Sequence, residues 1–500
     1  MIRRALLARL AGSQANLVGL GALATLAPLL GLACAQPPPS RQSEQVGVLA
    51  PPDAGRPARV AAWNRLYADG AGARLELEPV PEGPDLRRTL EALAAADPRR
   101  LQVVWLDHVD VPLLALQRRL RPLEGLVRRD HLDLKQYMPA ALQPAYGLDE
   151  RLYALPEEVD ARQVYFNRDH LAEAGIDYRR AGLDFEGPPP TWAALRQANL
   201  DLVAAPRAAD RLPFHPGHEG APLVLWGWQN GGGWLADGSR RATADRREHV
   251  EALAWLAAHT RELGGAERLA RTGQFPGVAR TGTADDEPGR HPFLLGRLSL
   301  CFESTRFAST IAGAQPRFPL GFVEPPRRRA GAPLVSLARS WGYALAVGAP
   351  DAAWGALRFL AGEESAAAAA AAGAAAALAG QHGGSLAAPA VPGAAAAPDT
   401  GPGQPLWFPP FSGRIALDRR LAAGYRTGIE LVDGARDHGL EQLRHARFLS
   451  PCIAPHDFWP LIEAAGRQVL TGGATPEAAL AAAHREAQRR LDAAWQALGR

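Results

Sequence analysis

Gly147-Leu148-Asp149-Glu150-Arg151-Leu152-Tyr153-Ala154-Leu155-Pro156-Glu157-Glu158-Val159-Asp160-Ala161-Arg162-Gln163-Val164-Tyr165-Phe166-Asn167-Arg168-Asp169, followed by Pro188-Pro189-Pro190-Thr191-Trp192, sets two apolar runs on either side of a charged one. Leu152, Tyr153 and Leu155 suggest a short strand that Pro156 interrupts, since proline donates no ladder hydrogen bond. Val164, Tyr165 and Phe166 form a second β-prone run, closed by Asn167-Arg168-Asp169 with turn and capping chemistry. Asp160 and Arg162 lie between them, where a buried strand should be apolar. A charge at such a position must be paired or face a cleft.

Outward from this segment, strands and helices alternate. Residues 46–50, 75–80 and 101–106 read as strands, and 56–67, 86–96 and 111–120 as helices, the arrangement of a parallel α/β sheet. Beyond it, 191–203 and 248–263 read as helices, 273–290 as a polar loop and 297–302 as a strand. A strand at 341–347 and a helix at 351–360 follow, then a low-complexity Ala/Gly/Pro tract at 366–403 whose first half continues a helix. Residues 417–449 are mixed helical, and helices at 458–470 and 476–498 end the chain, the last opened by Thr475-Pro476-Glu477.

Five hundred residues with 47% apolar content are enough for two sizeable lobes. The net charge of +3 is spread among both signs, so no phosphate-tracking stripe forms and nucleic acid is not an expected partner. Arg3, Arg4 and Arg9 precede an uncharged apolar run at 17–33, the pattern of an export signal. Leu32-Ala33-Cys34-Ala35 permits lipidation of Cys34 or ordinary cleavage after Ala35. The Pro/Ser/Gln-rich tether at 36–45 favours lipidation, although Gly31 stands where a lipoprotein signal wants a branched apolar residue. Arg3-Arg4 also fits a twin-arginine signal. Cys301 and Cys452 remain, either as a pair or as separate buried thiols.

Seven segments resemble, in order, the extracellular solute-binding proteins of ABC sugar importers. They are Val103-Val104-Trp105-Leu106-Asp107 with Leu120-Arg121-Pro122-Leu123-Glu124, then Val159-Asp160-Ala161-Arg162 through Asp169, then Trp226 to Gly233. Gly296 to Ile311, Ser340-Trp341-Gly342-Tyr343 with Phe359-Leu360, Phe458-Trp459 and Gly472 to Leu480 complete the series. Two departures stand out. Val48-Leu49-Ala50-Pro51 lacks the polar or aromatic residue usual in the first strand, and Glu303-Ser304 replaces a common asparagine-glycine pair.

The resemblance implies an α/β, two-lobe periplasmic-binding-protein fold of type II, both lobes discontinuous, with a ligand cleft at the hinge. The expected division is a signal at 1–33, a tether at 34–45, lobe 1 at 46–158 and 305–362, lobe 2 at 159–304 and 404–500 with some C-terminal return to lobe 1, and an Ala/Gly/Pro-rich insert at 363–403. It also implies a sugar ligand, delivery to ABC permease subunits, a monomer, and a lipid anchor through Cys34. Asp160 and Arg162 are the first candidates for ligand contact, with a structural ion pair as the alternative. Asp107 and Asp110 follow a strand end where α/β sheets place ligands, with helix capping as their alternative role. Trp226, Trp228, Trp341 and Trp459 divide between ring-stacking platforms and core, and Trp63 could supply the missing first-strand contact. Arg306 could read an acidic ligand, and Glu219 lies in a loop that contributes contacts in relatives.

No cofactor or metal is expected. His215, His218 and Glu219 lack a fourth ligand nearby, and Asp285-Asp286-Glu287 lacks calcium-loop spacing. The nucleophile and zinc-hydrolase signatures G-x-S-x-G, H-E-x-x-H and S-x-x-K are missing, so binding is expected rather than catalysis. The alternatives within reach are a glycerol-phosphodiester or polyol binder, a sugar-presenting sensor, and a secreted carbohydrate hydrolase, which would need two carboxylates facing one bond.

Overall fold

The computed structural model describes residues 44–50, 55–67, 73–79, 102–205, 223–266, 291–314, 316–382, 411–424, 426 and 430–499. The expected export signal, Cys34, the helix expected at 86–96, Glu219 with its histidine loop, and the acidic segment at 273–290 lie outside them.

The eight strands of the main sheet are β1 (Glu44–Ala50), β2 (Ala73–Pro79), β3 (Val103–Asp107), β4 (Ala154–Asn167), β5 (Leu300–Ser304), β6 (Leu320–Val323), β7 (Ser336–Leu345) and β8 (Ala446–Arg447). Their order is β2-β1-β3-β7-β4-β5, with β6 also on β4 and β8 also on β7. β1 runs parallel to β2 and β3, as alternation of strand and helix dictates. β3 and β7, and β7 and β4, pair antiparallel.

β4 and β7 join two separate cores. Leu155 on β4 and Tyr343, Ala344 and Leu345 on β7 belong to a first core with β1–β3, α1 (Arg56–Leu66), α2 (Val111–Leu116) and α7 (Asp351–Leu360). Val164 and Phe166 on the same β4, and Leu337 on the same β7, belong to a second core. That core is built by α3 (Trp192–Ala204), α4 (Leu223–Gln229), α5 (Arg247–Glu262), α10 (Pro455–Leu470) and α11 (Pro476–Ala497). A third cluster around Tyr165, Phe293, Phe307 and Phe322 involves α6 (Phe307–Ala314) and α9 (Glu430–Gln442). A fourth gathers Met138, Val159, Ala161, Ala338, Phe411 and Leu443 beneath the crossing.

Two sequence expectations change. Pro156 does not interrupt the strand; β4 continues through it for 14 residues, and the ladder absorbs the irregularity as a shift in register between Pro156 and Glu158. The return to the first core falls in β7 rather than at residue 305, because Phe307, Phe322 and Leu337 pack with the third cluster and second core. The alanine tract begins, as expected of its first half, as a helix of 20 residues, α8 (Glu363–His382), whose Ser365, Ala369 and Ala370 are buried. The two described cysteines are free thiols in different clusters, Cys301 in the third and Cys452 in the second core.

Local chemistry accounts for the element ends. Asn167 closes β4 by accepting hydrogen bonds from the Asp169 and His170 N–H groups. Thr191 caps α3 and Thr475 caps α11, the latter with proline at the first helical position.

Candidate functional site

Where β4 and β7 pass between cores, one face of the sheet is charged. Pairing places Asp160 opposite Arg339, Glu158 opposite Trp341, and Asp107 of β3 opposite the same Trp341. Residues directly opposite in a ladder share a face, as do residues two apart in a strand. Asp107, Trp341, Glu158, Asp160, Arg162 and Arg339 therefore stand on one side. Val159, Ala161 and Ala338 turn to the other, into the fourth cluster. Glu157 is the extra residue at the register shift, which brings a second glutamate beside Glu158.

Pairing offsets the cost of burying these acids. Glu157 meets Arg59 of α1 at 2.6 Å and accepts the Trp105 indole N–H at 2.8 Å. Glu158 pairs with Arg306, which follows β5 and keeps 59% of its side chain exposed. Burial pushes the Glu158 carboxyl up to about 7; Arg306 opposes this, while Glu157 and Asp160 add to it. Arg339 pairs with Asp107, whose other oxygen caps the turn at Val109 from 3.1 Å.

Aromatic rings line the same face. Trp105 and Trp341 run parallel, 3° apart with centroids at 6.4 Å. The Arg56 guanidinium lies 4.2 Å from the Trp105 ring centre, and that of Arg339 lies 4.8 Å from the Trp341 ring centre. Two buried polar atoms on this face have no hydrogen-bond partner, Asp160 Oδ1 and Trp341 Nε1. Trp459 Nε1 in the second core and His108 Nε2 on the opposite side of the sheet, beside Ser340 and Gly342, are also without one. An acceptor and a donor left open on one face are what a hydroxyl-bearing ligand would satisfy. His108 Nδ1 sits 2.9 Å from Ser340 Oγ, and burial lowers the imidazole to about 4, so the ring is neutral at physiological pH.

The expected site residues separate into groups. Asp107, Asp160, Arg162, Arg306 and Trp341 gather around the β3–β7–β4 face. Asp110 is buried and meets His456 at 2.6 Å, which links the start of α2 to the start of α10. Beside that contact is a cleft of about 270 Å³ lined by Leu113, Gln117, Pro455, Asp457 and Leu498 among others. Trp459 packs edge-on against Phe458 at 4.8 Å. Trp228 is buried in the second core, with the Arg447 guanidinium 5.5 Å from its ring centre.

Two tryptophans fall elsewhere. Trp226 is fully buried between Trp192 and Trp255, 5.1 and 5.3 Å away, so it is a core residue in this conformation. Trp63 spends its N–H on the Ala73 carbonyl at 3.0 Å and packs on Phe359, so it fills the first core instead of replacing a first-strand ligand contact. Sequence reasoning missed Glu157, Glu158, Arg59, Arg339 and His456. Two consecutive glutamates inside an otherwise apolar strand were a usable signal; the arginines and the histidine carried none. Among the described residues, no group of three His, Cys, Asp or Glu stands close enough to hold a metal, and no helix is long and apolar enough to cross a membrane.

Comparison with known proteins bears on the same region. The family described as bacterial extracellular solute-binding protein matches residues 60–398. A similar solved structure is the ABC substrate-binding protein of Listeria monocytogenes in complex with cycloalternan, with TM-score 0.64, 14% identity, and coverage of 90% of this chain and 99% of that one. An ABC transporter solute-binding protein of Thermotoga lettingae bound with α-D-tagatose gives TM-score 0.61, 16% identity, and coverage of 90% and 100%. The sugar-binding protein MalE of Xanthomonas citri gives 0.64, 16%, and 91% and 99%. At these identities the likeness shows the fold, a two-lobe α/β binding-protein architecture.

Proposed function

This chain belongs to the bacterial extracellular solute-binding protein family, and from that premise we propose that it captures a mono- or oligosaccharide on the charged face of the crossing and hands it to an ABC permease. One observation carries the ligand class: buried Asp160 Oδ1 and Trp341 Nε1 without partners, on the face where the Trp105 and Trp341 rings run parallel. Sugars present C–H faces to such rings and hydroxyls to such atoms. The sugars named in the structures of similar fold, tagatose and cycloalternan among them, support that class.

The mechanism follows from two cores joined by two strands. Ligand touching both lobes favours the closed arrangement over the open one by its differential affinity, and closure presents one surface to the permease. The lobes are taken as the two cores, with β4 and β7 as the hinge. In this reading the protein turns over no sugar. It acts as a monomer outside the cytoplasm, held at the membrane by a lipid on Cys34.

A thermal-shift screen against maltose, maltotriose, mannobiose, tagatose and glycerol 3-phosphate tests the proposal. Binding to the folded state alone raises stability by about 2.7 kcal/mol at a hundredfold excess over Kd. A shift with one sugar, weakened at least tenfold by Asp160→Ala, supports it. Consumption of the sugar during the assay, or no shift with any sugar, defeats it.

A further inference from the structure

We infer that Glu158, by holding the Arg306 guanidinium, sets the charge selectivity of the cleft: the site accepts hydroxyl-bearing ligands without net charge and turns away anionic ones. This rests on the sugar-binding reading of the same face.

A largely exposed arginine beside a ligand site is ordinarily suited to carboxylate or phosphate, whose oxygens match the guanidinium fork. Arg306 is not placed for that use. Its Nη1 is on Glu158 Oε1, and Glu158 is buried. If Arg306 turned to an incoming anion, the buried Glu158 would lose its cation and have to take up a proton, so binding the anion would carry the cost of breaking the pair and of that proton uptake. Glu157 and Asp160 are also buried, within four residues of the same strand, so Glu158 could not be stranded cheaply. Glu157 is already answered by Arg59 and Trp105, but Asp160 Oδ1 has no hydrogen-bond partner and would repel an anion.

The other exposed arginine on this face is committed in the same way, Arg339 to Asp107. Arg162 is half-buried two residues from Asp160 on the same face, so an anion drawn to it would also meet that carboxylate. A neutral hydroxyl meets no such conflict. It can donate to Asp160 Oδ1 and accept from the Trp341 N–H while both ion pairs stay intact.

The test measures binding by titration calorimetry on the full chain and two variants, Glu158→Gln and the double change Glu158→Gln with Arg306→Gln. Neutral probes are maltose and mannobiose; anionic probes are digalacturonate and glucose 6-phosphate. The wild type is expected to bind a neutral probe and to bind both anions at least tenfold more weakly. Glu158→Gln should gain at least tenfold for an anion, and the double variant should lose that gain. Wild-type binding of an anion as tight as of the neutral probes overturns the inference and leaves the solute-binding reading intact. A Glu158→Gln protein with an unchanged cooperative melt and no gain overturns it too. If that variant fails to fold, the wild-type comparison still decides. Absence of binding to all four probes in the wild type overturns this inference, and overturns the sugar reading with it where no sugar of the thermal-shift screen binds either.

Discussion

At residue scale, burial explains both the fold's constraints and its acid response. Gly342 on β7 leaves no room for a side chain, since a Cβ there would lie 2.1 Å from the Leu155 carbonyl oxygen and 2.8 Å from His108 Nε2. Gly342→Ala is expected to cost about 2–3 kcal/mol by overpacking the crossing, read as a lower urea midpoint with unchanged slope. Three buried carboxyls set a pH dependence. Burial raises Glu158 and Glu463 to about 7 and Asp418 to about 6, from ordinary values of 4.5, 4.5 and 3.8. Each raised carboxyl favours the folded state below its unfolded value and loses that contribution as pH rises through its folded value. Melting temperature should therefore fall between about pH 4.5 and 7 as far as these groups govern it, and Glu463→Gln should flatten the slope without touching the crossing. A melting temperature rising across that window in the wild type would refute this account. The sequence exposed Asp160 and Arg162 because they are charges set between two apolar runs. It hid Glu158 behind Pro156, since a strand thought to be broken there gives no reason to bury the residues that follow.

At element scale, Arg59 of α1 is tied to three places. It meets Glu157 of β4 at 2.6 Å, Ser365 Oγ of α8 at 2.9 Å, and the Leu360 carbonyl at the end of α7 at 3.2 Å. Arg59→Ala leaves the buried Glu157 without its cation, at an expected cost of about 3–5 kcal/mol in denaturant unfolding. Adding Glu157→Gln removes the stranded charge and should recover part of that loss, whereas Ser365→Ala should cost about 1 kcal/mol. Equal losses for Arg59→Ala alone and with Glu157→Gln would show that no charge had been stranded. This tie is why the alanine-rich tract starts as a packed helix. Its composition suggested low complexity, and only Ser365, among alanines, marks the face that meets α1. Elements with strong periodicity were legible, as at α7, α10 and α11, the last also by its Thr475 cap. The crossing strands were harder, because a strand shared by two cores has no single hydrophobic pattern: β4 packs Leu155 on one core and Phe166 on another.

At the scale of the whole molecule, the contact between Asp110 and His456 is the feature most open to test. Asp110 stands at the start of α2 in the first core, and His456 at the start of α10 in the second, with the 2.6 Å hydrogen bond between them and a cleft of about 270 Å³ alongside. Sequence could not pair residues 346 positions apart, and the chain's return to the first core was misplaced for the same reason: such assignments depend on which core a segment joins. If opening about β4 and β7 separates α2 from α10, this contact exists only in the closed form and adds to the affinity of any ligand that needs closure. A hydrogen bond to a charged group contributes about 1.5–3 kcal/mol when buried, and partial exposure of His456 reduces that. His456→Ala should then weaken sugar binding by roughly threefold to tenfold, mainly through faster dissociation. The same variant, at a sugar concentration that saturates the wild type, should show a larger radius of gyration by X-ray scattering. At tenfold higher sugar the two radii should converge, because mass action restores the closed population. A variant with weaker binding but wild-type radius at every sugar concentration would place His456 in direct contact with ligand instead of in the closure of the lobes.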